Sequence, residues 1–163
     1  MPVVRALFLT VLIAAATPPS AWAQQQDTVV LPGRGPRVEP VAGLRVGFPQ
    51  KLSGYVGFVL AERSYSTSSY TGWSITVEPG LGGGLVGIGR TTSGGYVMTS
   101  RVQAAVLRTW GDPWMVSPDR TYVGMDARFS MLLVGLTLGG YVRVPESGAD
   151  PGVLFTAGIV VGL

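Results

Sequence analysis

Glu78 and Asp126 fall on the polar side of segments that alternate between apolar and polar residues. A catalytic acid pair would first show itself in that way, one carboxyl held protonated to give up a proton and the other kept ionised. The same side of the alternation carries Arg45, Arg101, Arg128 and Arg143. Buried acids keep their charge by pairing. The preferred reading is therefore a network of ion pairs among Arg45, Glu78, Arg101, Asp126, Arg128 and Arg143, with Arg101 and Arg128 expected close to Asp126. The chain has no His and no Cys, so the usual Ser-His and Cys-His nucleophiles cannot form. "GLGGGLVGIG" contains Gly82-x-Gly84-x-x-Gly87, formally a dinucleotide fingerprint. That chemistry needs a strand before it, a helix starting on it and an acid about 20 residues later. "LVGIGRTTSGG" cannot serve as the helix, and glycines that let a strand bend and pack closely explain the match better. No acidic cluster has metal-ligand spacing. The expectation is a protein that is not an enzyme, with no catalytic residue, no metal and no cofactor.

The segments that carry these residues follow an N-terminal stretch of another kind. "MPVVRALFLTVLIAAATPPSAWAQQQ" has one positive charge, Arg5, then a largely apolar stretch of eleven residues, 6–16, then small residues at Ala21 and Ala23. Residues 1–23 are read as a secretory signal peptide cleaved before Gln24. The alternative is a membrane anchor, but a spanning helix takes roughly 20 apolar residues, and Pro18 and Pro19 end the run. Residues 24–40 read as a polar, flexible tail punctuated by Pro and Gly. Residues 41–163 are the expected domain, about 120 residues long. Its charge is too small and too scattered for a nucleic-acid partner: the whole chain is +3 and Lys51 is its one lysine. Only 13% of residues are charged, against roughly 25% in ordinary soluble domains.

From residue 42 onward the period is two, the signature of strands with unlike faces. Leu44, Val46 and Phe48 oppose Gly43, Arg45 and Gly47; Val56, Phe58 and Leu60 oppose Tyr55, Gly57 and Val59; Trp73, Ile75 and Val77 oppose Ser74, Thr76 and Glu78. Val86 and Ile88 oppose Gly87 and Gly89, and Tyr96, Met98, Val102, Val106 and Trp110 oppose Thr99, Arg101, Gln103 and Thr109. In the unbroken stretch 121–144 the phase inverts near 131. A single strand of that length would exceed about 60 Å, so a tight turn near Ser130–Leu133 is expected, with a bulge in one bent strand as the alternative. "LFTAGIVVGL" supplies the eighth strand. The expected fold is all-β, an eight-stranded antiparallel up-and-down transmembrane β-barrel. Its connections on one side would be residues 49–52, 79–83, 111–119 and 145–152; on the other, 64–71, 91–94 and the turn near 131.

Alternation alone does not say which face is outside. A lipocalin-like barrel, soluble in a secreted or periplasmic setting, turns its apolar face inward around a ligand; a membrane barrel turns it toward lipid. Three observations favour lipid. The polar face consists of small residues and a few charges of both signs, which suits the narrow bore of eight strands. Aromatic residues of the apolar face stand near strand ends, at Phe48, Trp73, Tyr96, Trp110 and Phe129, where interfacial girdles would form. The pattern runs to Leu163, as it must if the last strand pairs with the first and no open edge is left in hydrocarbon.

On these patterns residues 41–163 resemble the small outer-membrane β-barrels typified by the OmpA transmembrane domain and OmpX. The ending, with Thr156, Gly158, Val161 and Leu163, is similar to the assembly signal of that class, polar-x-Gly-x-x-apolar-x-apolar, although the class ends in an aromatic residue. The resemblance implies an outer-membrane location, contact with outer-membrane lipid, insertion by the barrel-assembly machinery and a monomer. Outer-membrane enzymes that deacylate or palmitoylate lipid A use a His, which this chain lacks. The expected function is structural or surface-interacting, with no open pore, because eight strands enclose a bore that side chains fill. Any surface ligand would meet loops 111–119 and 145–152, where Trp114 and Met115 serve either as exposed binding residues or as anchors in the lipid interface.

Overall fold

A computed structural model of the chain describes residues 37–63, 70–94, 97–145 and 152–162. The expected leader, the tail as far as residue 36, Tyr96, most of the 145–152 connection and Leu163 lie outside the described residues. Eight strands follow in order: β1 Arg37–Phe48, β2 Lys51–Arg63, β3 Tyr70–Gly80, β4 Gly83–Gly94, β5 Met98–Thr109, β6 Thr121–Met131, β7 Val134–Arg143 and β8 Val153–Gly162. Each pairs antiparallel with the next, and β8 pairs with β1, so the sheet is a closed up-and-down barrel. Closure removes the free edges that an open sheet would expose.

Alternation decides the faces as the sequence implied. Leu44 and Val46, Val56 and Phe58, Ile75 and Val77, Val86 and Ile88, Val102 and Val106, Val123, Leu136 and Leu138, and Ile159 and Val161 all point outward and are exposed. Between them Arg45, Ser74, Thr76, Glu78, Thr91, Arg101, Gln103, Asp126, Arg128, Thr137 and Thr156 point inward and are buried. The apolar face is the outer one.

Some boundaries and one face differ from the expectation, while the tight turn near Ser130–Leu133 falls where it was expected. β1 starts at Arg37, not after residue 40. Arg37–Ala42 pair with β2 alone, and a stretch with one free edge tolerates Pro40, which has no N–H to give. Residues 91–94 belong to β4, with Thr91 and Ser93 turned inward, so the β4–β5 connection falls later. The phase inversion is a two-residue turn at Leu132 and Leu133, not a bulge. Leu132 takes a φ of 56° there, a region that costs a leucine about 1–2 kcal/mol and that hairpins usually give to Asn or Gly. Phe48 ends β1 half-buried and packs against the interior cluster of Leu85, Leu107, Tyr122, Tyr141 and Leu154. It belongs to the core and not to an outer girdle, because the chain bends inward at Pro49 and Gln50, both buried.

The closing seam is the shortest pairing of the wall, Gly43 to Phe48 against Ala157 to Gly162. Two of its three inward pairs are glycine opposite glycine, Gly43 with Gly162 and Gly47 with Gly158; the third is Arg45 opposite Val160. The space so freed is used. A Cβ on Gly43 would stand 2.5 Å from the Tyr55 hydroxyl, and one on Gly158 would stand 3.0 Å from Arg45 Nε.

Candidate functional site

The interior is stacked in three layers. At the end of the barrel with the β5–β6 loop, Leu85, Ala105, Leu107, Tyr122, Tyr141 and Leu154 form an apolar cluster, with Phe48 and Val116 against it. At the end with the chain termini, Val41, Val59 and Ala61 cluster, with Tyr70 beside them. Between these lies the polar layer, where seven of the eight strands are joined by side-chain hydrogen bonds.

Glu78 is the hub of that layer. It accepts hydrogen bonds from Ser53 Oγ at 2.8 Å, Arg45 Nη1 at 3.3 Å and Arg128 Nη2 at 3.2 Å, tying β3 to β2, β1 and β6. Asp126 accepts from Thr137 Oγ1 at 2.9 Å and Gln103 Nε2 at 3.4 Å, and Arg45 Nη1 stands 3.7 Å away. Thr76 donates to Gln103, Thr91 to Ser74, and Arg101 Nε to Thr91 Oγ1. The Arg128 guanidinium also lies over the Tyr55 ring, 4.0 Å from its centroid.

Of the six expected network members, Arg45, Glu78, Asp126 and Arg128 therefore come together. Their pairing differs from the expectation: Asp126 meets Arg45 across the lumen, and Arg128 turns to Glu78. Arg101 reaches a threonine and no carboxylate among the described residues. Arg143 is half-buried two residues beyond Tyr141, toward the loop end. Ser53, Thr76, Thr91 and Thr137 were not singled out by sequence; their inward phase was the available signal. The acids sit among arginines, hydroxyls and an amide, an arrangement that fixes charge in place.

A second ordered region caps the loop end. Trp114 N–H donates to Pro49 O at 3.1 Å, Gly82 N–H to Gln50 O at 3.0 Å, and Trp110 N–H to Gly82 O at 3.3 Å. Thr109 Oγ1 donates to Ser117 O and accepts from Arg120 N–H, and Lys51 Nζ pairs with Asp112 at 2.5 Å. These bonds hold Met115, 93% exposed with φ 59°, and half-exposed Trp114 at the surface.

The outward aromatics stand near both ends. Trp73, on β3 near the termini, carries Arg90 over its ring at 5.7 Å, and Phe129 is exposed near the same end on β6. Trp110, at the loop end, donates its indole N–H to Gly80 O at 3.1 Å and packs against Gly84, where an added Cβ would collide with the indole ring. Gly84→Val is expected to lift the indole off the wall and break that hydrogen bond. A change in Trp emission with little change in the far-ultraviolet circular dichroism spectrum would show it; unaltered emission would count against this packing. On β8, Thr156 and Gly158 face inward and Val161 outward.

No protein-family model, curated protein or solved structure matches the chain.

Proposed function

We propose that this chain is an integral outer-membrane barrel with a structural or surface-interaction role, non-enzymatic and without an open pore. One observation carries the reading: the apolar side chains face outward all round the barrel, while Arg45, Glu78, Arg101, Asp126 and Arg128 are buried inside it. On β6 the outward residues from Val123 to Met131 run about 27 Å along the strand, or roughly 20 Å along the barrel axis at a tilt of about 40°. That is close to the apolar band of about 25 Å that outer-membrane barrels present to lipid. Burying a large aliphatic side chain is worth about 1.5–3 kcal/mol, so a water-facing wall of this composition would leave most of its hydrophobic free energy unused. Lipid supplies the burial. Trp73 and Phe129 at one end and Trp110 at the other are the interfacial residues of this reading.

The leader at residues 1–23 exports the chain, and the last strand, with Thr156, Gly158, Val161 and Leu163, presents it to the barrel-assembly machinery. The three stacked layers of side chains leave the loops as the part that meets partners, with Trp114 and Met115 on the capped loop 111–119. The barrel acts as a monomer in outer-membrane lipid. The test is fractionation. The chain is expected to stay with outer membranes through carbonate and urea washing, and to migrate faster on a gel unheated than boiled. Recovery in the soluble fraction would overturn the proposal in favour of a secreted or periplasmic ligand-binding barrel.

A further inference from the structure

The polar layer holds more positive than negative charge. Its buried charged side chains are Arg45, Arg101 and Arg128 against Glu78 and Asp126. Arg45 bridges both acids and Arg128 holds Glu78. The surplus falls on Arg101, whose Nε donates to Thr91 and whose Nη1 has no partner. Arg101 is also the direct register partner of Arg128 on the neighbouring strand, with both side chains on the inward face. Like charges directly opposite one another destabilise a sheet. Here both are nearly removed from solvent, Arg101 being 4% and Arg128 6% exposed. Arg128 adds two unpartnered donors, Nε and Nη1. Buried polar groups in folded proteins normally find partners, and a buried charge needs a counter-charge. Arg101 and Arg128, register partners that both point inward, thus hold three unpartnered donors beside one surplus positive charge, the chemistry that an anion satisfies; Arg45 Nε and Nη2 are unpartnered too, but Arg45 already meets both acids.

We propose that a single small monovalent anion, chloride in size and charge, binds in the lumen between Arg101 and Arg128. One negative charge cancels the surplus, whereas a dianion would reverse it. The narrow bore of eight strands, the Tyr55 ring stacked on Arg128 and the apolar cluster of Val41, Val59 and Ala61 toward the termini favour an ion over a larger organic acid. Thr91 and Ser74 add hydroxyls nearby.

Bromide is the probe. Crystals of the detergent-folded chain grown in sodium bromide are expected to show an anomalous peak between Arg101 and Arg128. An ordered lumen with no bromide there would overturn the proposal. In solution, replacing gluconate by chloride at constant ionic strength should raise the urea midpoint of the unaltered chain, and the rise should saturate. Arg101→Gln keeps a donor for Thr91 and removes the surplus charge, so it should fold and its midpoint should not respond to chloride. An equal chloride response in both proteins would also overturn the proposal. If Arg101→Gln does not fold, the bromide experiment on the unaltered chain still decides.

Discussion

Glu78→Leu is expected to destabilise the barrel by about 3–5 kcal/mol, the usual cost of removing one partner from a buried ion pair. Among the described residues Glu78 is the one acid that serves two arginines and a serine. Its loss leaves Arg128 without a carboxylate and Arg45 with only the 3.7 Å contact to Asp126. Glu78→Gln keeps the shape and an acceptor oxygen, so it should fall between Leu and the unaltered chain. Val77→Ala is the control: Val77 is the next residue on β3 but points outward, and its loss should cost much less. Urea titration in detergent, read by gel mobility, separates the three. Equal midpoints for Glu78→Leu and Val77→Ala would mean that the ionic layer contributes nothing measurable.

Ile159→Arg should prevent assembly in the membrane. Ile159 points outward between Val46 and Leu136, in mid-wall. An arginine facing lipid at the midplane costs roughly 2–4 kcal/mol. Gly158→Arg should fail too, for the opposite reason. A Cβ at 158 would already lie 2.9 Å from the Val46 carbonyl oxygen and 3.0 Å from Arg45 Nε, and a further cation would join the surplus positive charge. The same contacts mean that even Gly158→Ser is costly. Both arginine variants should be absent from the heat-modifiable membrane fraction. A folded, soluble Gly158→Arg protein would refute the membrane reading, because position 158 would then have to face water.

The faces were legible in the sequence because a period of two admits only two assignments per strand: once Val123, Ala127 and Phe129 point one way, Asp126 and Arg128 must point the other. The partners within the lumen were not legible. Asp126 and Arg128 lie two apart on one strand and invite pairing, yet which side chains meet across the bore depends on the register accumulated around the whole wall. That register brings Arg45 from β1 and Glu78 from β3 to them. The turn at Leu132 carried no Gly or Asn to mark it, so only the phase change gave it away. Phe48 obeyed the alternation and was still misplaced, since periodicity does not say where a strand begins to bend. Pro40 hid the start of β1 for a related reason: the rule that excludes proline from a sheet applies to strands paired on both sides.

The glycine-lined seam also bears on the order in which the wall can form. Every other pairing joins neighbours in sequence and closes a short loop. The seam alone joins residues from opposite ends of the domain, Phe48 with Ala157, and so carries by far the largest loop-closure entropy. It also offers the fewest backbone bonds in return, and its glycine pairs add no side-chain contacts across the join. The seven hairpin pairings can form without it; it cannot form without them. Closure is thus the last contact to be gained and the first to be lost, and amide hydrogens on β1 and β8 should exchange before those of β4 and β5, whose register is the longest of the wall.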